Sequence, residues 1–178
     1  MPSPLDLLER ARLFATAAHA AVGRLRKCTG EPYVTHAAAV VEILRSVPHD
    51  EAMLAAAWLH DVVEDTAVGL DVIEAEFGPE VAELVGAITS TARGSDAPRA
   101  VREALDRERL ATASARAQTV KLADIIDNAG TVAEHAPEHA VTYIAEKAAM
   151  LEVLRAGDPN LWARAAGHLR PAVDGEAD

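Results

Sequence analysis

Apolar residues in this chain recur at helical spacing almost everywhere, and nowhere is the alternation of polarity strong enough to support a sheet. Leu7, Ala11, Phe14 and Ala18 define one such face. The segment Glu51 to about Glu64 is apolar nearly all round, which predicts a central helix capped by Asp50. Half of the 178 residues are hydrophobic but only 3% are aromatic. Much of the apolar content is alanine, which favours helices and lets them pack closely. The chain is therefore expected to be all-α, folded around one core.

The punctuation divides the rest. Ser3, Pro4 and Asp6 read as an N-cap, a first-turn proline and an acidic third residue of the first helix. Cys28 to Tyr33 is turn-rich, and Thr35 is placed to cap a second helix carrying Val40, Ile43, Leu44 and Val47. Short helices are expected over Leu70 to Phe77 and Pro79 to Ile88, split by Gly78-Pro79. Thr91 to Pro98 reads as a loop. Arg99 to Arg116 reads as an exposed charged helix with a break near Thr112 to Ser114. Thr119 to Glu134, then Glu138 to Ala156 ended by Gly157, follow, with a last short helix after Asp158-Pro159. No repeat or linker divides the chain. Residues 1–170 are expected to form the domain and 171–178 a frayed tail.

The net charge of −11 argues against long nucleic acids, whose binding rests on many Lys and Arg contacts. It leaves room for a small phosphorylated ligand in a locally cationic cleft. The single Cys28 can form neither an internal disulfide nor a thiolate zinc site. The first residues lack the basic end and apolar run of a signal peptide, and no stretch reaches the length of a membrane span. A cytoplasmic protein without membrane contact is expected. The oligomeric state is not legible.

Three segments carry chemistry. In Trp58-Leu59-His60-Asp61-Val62-Val63-Glu64-Asp65-Thr66, a histidine and three acids end an apolar helix, against the negative end of its dipole. A bound cation would relieve that conflict; so would exposure to water. In Val120 to Asn128, helical spacing brings Lys121, Asp124 and Asn128 together. Asp124 then needs a metal or an ion pair with Lys121 as partner. His36 follows Pro32-Tyr33 at the start of a helix, either as a ligand or as a neutral capping or core histidine. Taken together, two imidazoles and two carboxylates with no thiolate suit Mn, Fe, Zn or related ions.

The order histidine, His-Asp, distant Asp resembles the HD-domain phosphohydrolases. A narrower resemblance covers nearly the whole chain. Phe14-Ala15 with His19, Arg26-Lys27, Gly30, Pro32-Tyr33 with His36, and Leu59 to Thr66 resemble the RelA/SpoT-type alarmone hydrolase domain, as do Phe77-Gly78, Lys121 to Asp124, Asn128 and Tyr143. The chain length is similar to that of small stand-alone alarmone hydrolases, including the metazoan SpoT homologues.

That resemblance implies a single compact HD-domain helical bundle. It implies Mn²⁺, or another divalent metal, on His36, His60, Asp61 and Asp124. Glu64 and Asp65 would be catalytic, positioning and activating the attacking water. Arg26, Lys27, Asn128 and Tyr143 would bind the nucleotide. The implied reaction removes the 3′-pyrophosphate of guanosine 3′,5′-bispyrophosphate (ppGpp). Hydrolysis of another nucleotide or phosphate ester, or non-catalytic nucleotide binding, are the alternatives.

Three positions depart from the family pattern. Ala37 stands in place of a proline, Ile125 in place of a basic residue, and Asp127 in place of an uncharged one. An inward Asp127 would be expected to repel a polyphosphate. His19 is read as a packing or orienting residue, and His49, His135, His139 and His168 as surface residues.

Overall fold

The computed structural model describes residues 5–90 and 96–169. Ser3, Pro4, most of the expected loop at 91–98 and the expected tail lie outside them. Among the described residues there are ten helices and no strand. They are α1 (Leu7–Ala21), α2 (Val34–Leu44), α3 (Glu51–Leu59), α4 (Val62–Asp65), α5 (Leu70–Phe77), α6 (Pro79–Ile88), α7 (Arg99–Ala111), α8 (Ala115–His135), α9 (Pro137–Leu151) and α10 (Pro159–His168). None is long and apolar enough to cross a membrane.

The expected all-α class is what the chain adopts, and α3 is its centre. Ala52 through Ala57 and Leu59 are all buried, and the helix packs against α1, α2, α6 and α8. Small alanine side chains allow four neighbours around one short helix. Asp50 caps it, accepting the Met53 N–H at 2.9 Å. The longest helix, α8, also packs against α2, α9 and α10. Together α2, α3 and α8 bring the three chemical segments to one place.

Several boundaries differ from those the sequence suggests. Asp6, not Ser3, caps α1, accepting the Glu9 N–H at 2.8 Å. Thr35 lies inside the first turn of α2, its hydroxyl bonded back to the Pro32 carbonyl, while Tyr33 holds the N-cap position. The long central helix is two: α3 stops at Leu59 and α4 restarts at Val62. His60 produces the break, because its Nδ1 takes the Ala57 carbonyl at 2.7 Å, the acceptor a continuing helix would give to the Asp61 N–H. α8 begins at Ala115 rather than Thr119, and Ser114 caps it by accepting the Ala117 N–H.

α9 ends at Leu151 rather than near Ala156. The buried amide of Gln118 explains it. Its Oε1 accepts the N–H groups of Ala156 and Gly157, and its Nε2 donates to the Leu110 carbonyl. Gly157 fits here because a Cβ would lie 2.7 Å from Leu122 Cδ1 and 3.2 Å from the Gln118 backbone carbon.

α5 and α6 form the expected pair, turning at Gly78, whose φ of 88° suits glycine. The link from α1 to α2 folds into a tight turn. An isolated bridge joins Leu25 and Pro32, and Gly30 at φ 73° donates to the Arg26 carbonyl. This turn carries Arg24, Arg26 and Lys27 to the mouth of the site.

Candidate metal centre and its cleft

Two histidines from different parts of the chain are fixed in the same tautomer by different partners. His36, on α2, places Nδ1 2.6 Å from Asp127 Oδ2. His60, between α3 and α4, places Nδ1 2.7 Å from the Ala57 carbonyl oxygen. Carboxylate and carbonyl oxygens only accept, so Nδ1 carries the proton in both rings and Nε2 faces the other way. The two Nε2 atoms converge to 3.2 Å.

Carboxylates meet them. Asp124 Oδ1 lies 3.2 Å from His36 Nε2 and 3.7 Å from His60 Nε2. Asp61 Oδ2 lies 3.1 Å from His60 Nε2 and 3.8 Å from His36 Nε2. One ligand atom each from His36, His60 and Asp124 lies within 4.8 Å of the others, and all three residues are buried. Two imine nitrogens and a carboxylate aimed at one point, with no thiolate, form a site for a divalent metal ion.

The charges behave accordingly. Burial works against a charged imidazole at His36, but Asp124 and Asp127 outweigh it and raise its pKa. The same contest, with Asp61 the main counterweight, raises His60 well above the usual imidazole value. Burial pushes both ligand-type acids up; His60 overrides it at Asp61, and Lys121 at Asp124, leaving both below the usual carboxylate range. The pocket thus holds its acids ionised and attracts positive charge to the two Nε2 atoms.

Neighbouring side chains hydrogen-bond the same carboxylates. Lys121 Nζ donates to Asp124 Oδ2 at 2.7 Å, and Asn128 Nδ2 to Asp124 Oδ1 at 2.6 Å. The Tyr33 hydroxyl donates to Asp61 Oδ2 at 2.5 Å. Tyr33 is itself framed by the His19 ring, 4.9 Å away, and by the Arg24 guanidinium at 5.0 Å. His19 is buried, so burial lowers its pKa and it packs as a neutral ring. His49, His135 and His168 are exposed, as expected; the His139 side chain is outside the described residues.

The centre opens on a cleft of about 420 Å³ lined by Lys27, Tyr33, Glu64, Asn128, Tyr143 and Lys147, among others. A second cleft of about 450 Å³ adjoins it and shares Lys27, Glu64, Lys121 and Lys147. Glu64 Oε2 accepts the Ser90 N–H at 3.1 Å, which ties α4 to the end of α6.

The expected site residues therefore do not all stand alike. His36, His60 and Asp124 converge, and Asp61 stands beside them with Oδ2 3.1 Å from His60 Nε2. Glu64, Lys27, Asn128 and Tyr143 reach the cleft. Asp65 does not line it: its side chain is 3% exposed and takes Arg24 Nε at 3.0 Å. Arg26 lines the cleft, but its Nη2 is engaged by Asp127 Oδ2 at 2.6 Å and Thr131 Oγ1 at 2.7 Å.

Asp127 does point inward, yet its Oδ2 is shared by Arg26 and His36, so the expected bare charge against a polyphosphate is absent. Ile125 and Ala37 are both 1% exposed, in the core. Tyr33, Arg24 and Lys147 had no assigned role in the sequence. Only the position of Tyr33, three residues before His36, offered a signal.

A model of the HD domain family matches residues 11–156. The chain belongs to the HD domain family. Within it, this HD domain is 40% identical over 139 residues to a probable guanosine-3′,5′-bis(diphosphate) 3′-pyrophosphohydrolase of Synechocystis sp.. That match covers 76% of this chain and 18% of the relative. A probable GTP pyrophosphokinase of Mycobacterium leprae is 37% identical over 75% of this chain and 17% of its own length.

This HD domain thus spans less than a fifth of the length of these curated relatives and corresponds to one part of them. A solved structure of a metazoan orthologue of SpoT, described as hydrolysing ppGpp and acting in starvation responses, is similar over its whole length. It shares 30% identity and a TM-score of 0.83, across 96% of this chain and 97% of that one.

Proposed function

We propose that this HD domain is a Mn²⁺-dependent pyrophosphohydrolase acting on the 3′-pyrophosphate of a guanosine bispyrophosphate such as ppGpp. The observation that carries the reading is the pair of Nε2 atoms 3.2 Å apart, flanked by Asp61 and Asp124, at the floor of a cleft lined by cations. Similarity over nearly full length to a ppGpp-hydrolysing structure supports the substrate.

His36, His60, Asp61 and Asp124 are the residues that would hold the ion, which when bound lowers the pKa of water and neutralises phosphoryl oxygens. Glu64 is the proton acceptor for the attacking water, since it is the cleft-lining carboxylate outside that set of four. Asp65 acts indirectly, by holding Arg24 at the cleft wall beside Tyr33. Lys27 and Lys147 draw in phosphate, while Lys121 screens Asp124 from it. Tyr143, Asn128 and the turn at Cys28 bound the space for the nucleoside.

The test is a panel of nucleotides incubated with Mn²⁺ and the products identified. Pyrophosphate released from guanosine tetraphosphate is expected. Orthophosphate released from monophosphates, with the tetraphosphate untouched, would replace this reading with a different HD phosphohydrolase.

A further inference from the structure

We propose that Asp127 is the positioning carboxylate of the ligand His36, and that Arg26 serves as its counter-ion instead of binding substrate phosphate. The inference rests on the metal reading of the site and is independent of which nucleotide is cleaved.

Three side chains far apart in sequence meet at one oxygen. Asp127 Oδ2 lies 2.6 Å from His36 Nδ1 and 2.6 Å from Arg26 Nη2. The group is almost closed to water: side-chain exposure is 1% for His36, 10% for Arg26 and 15% for Asp127. A buried Nδ1–H left without an acceptor would be unfavourable, and the ring would lose the contact that turns Nε2 toward His60. A carboxylate behind a ligating imidazole fixes its tautomer and raises its basicity, which strengthens metal binding. His60 receives only a neutral carbonyl in the same place, so the two ligands are tuned differently.

The geometry of α8 makes the arrangement possible. Asp124 and Asp127 are three residues apart, so one helical face delivers both a ligand and the support of a second ligand. Thr131 continues the face one turn on. Its hydroxyl donates to the Asp127 carbonyl at 2.9 Å and lies 2.7 Å from Arg26 Nη2. Arg26 comes from the turn before α2 and closes the group from the cleft side. Its charge is matched locally by Asp127, so the pair adds little net field to the cleft. Phosphate attraction is left to Lys27 and Lys147.

The experiment measures Mn²⁺ affinity of the intact chain by equilibrium dialysis with no nucleotide present. Asp127→Asn keeps size and one acceptor oxygen, and circular dichroism verifies its fold. It is expected to bind Mn²⁺ about 10- to 100-fold more weakly. Asp127→Glu, which keeps the charge, should recover part of that loss. Arg26→Met should also weaken Mn²⁺, and the double variant should fall short of the sum of the two effects, because both act through one oxygen.

At saturating Mn²⁺, Arg26→Met should shift substrate KM less than it shifts Mn²⁺ affinity, whereas Lys27→Ala should raise KM and leave Mn²⁺ affinity alone. Unchanged Mn²⁺ affinity in Asp127→Asn overturns the proposal. So does an Arg26→Met variant whose only defect is a raised KM. Absence of hydrolysis on any nucleotide refutes the substrate reading and leaves the dialysis result intact.

Discussion

Lys121 Nζ donates to Asp124 Oδ2 at 2.7 Å, one turn further along α8, and both side chains are largely closed to solvent. The ammonium therefore offsets a carboxylate that also faces two histidines. Removing it leaves a buried acid short of its main counter-charge. Lys121→Met is expected to destabilise the metal-free chain by about 3 kcal/mol. Mn²⁺ should recover more stability in the variant than in the unsubstituted chain, since a cation replaces what was lost. Thermal unfolding with and without Mn²⁺ measures this; equal gains in both proteins would contradict it.

Ligation and proton transfer should separate by substitution. Asp61→Ala and Asp124→Ala are expected to lose bound metal while keeping helix content, read by elemental analysis beside circular dichroism. Glu64→Gln preserves size and should retain metal but lose roughly 10²-fold or more in kcat. Unchanged turnover at saturating substrate would remove Glu64 from the mechanism.

Gln118 ties the start of α8 to both the end of α7 and the segment before α10. Gln118→Leu fills similar volume but strands the Ala156 and Gly157 N–H groups. A loss of about 2–4 kcal/mol is expected from two poorly satisfied donors, read from urea midpoints. A variant as stable as the parent would show that water reaches those groups.

Asp50 gives a pH signature away from the metal centre. Partial burial pushes its carboxyl up, but Arg116, at 2.8 Å, and the Met53 N–H override it and hold it below the usual range. A folded-state pKa lower than the unfolded one means that the unfolded chain takes the proton first. The stabilisation is therefore full above the unfolded value of about 4 and is lost as pH falls through the folded one. Asp50→Asn keeps the helix cap and removes the charge. The stability gap between it and the parent, from denaturant titrations, should be widest near neutral pH and should close below about pH 4. A gap independent of pH would mean that the ion pair contributes nothing.

The helical class and several local features follow from the sequence. Helical spacing and alanine content were enough for an all-α core around α3, because apolar periodicity states which face must be buried. Asp50 and the Gly78-Pro79 turn were legible because a cap and a left-handed glycine act over a few residues. His36, His60, Asp61 and Asp124 could be named together because the order histidine, His-Asp, distant Asp resembles the HD-domain pattern; the residues alone left Asp124 a choice between a metal and Lys121.

What those groups do to one another depends on contacts between helices. The break after Leu59 depends on which way the His60 ring turns, and the early end of α9 depends on Gln118, 38 residues before Ala156. From sequence, Asp127 is a charge that would repel a polyphosphate if it pointed inward; the fold brings it to His36, 91 residues away, and to Arg26, 101 residues away. Spacing specifies neighbours along one helix, whereas the partner of a side chain across the core is set by how helices pack, and the short range of a hydrogen bond makes that packing decisive.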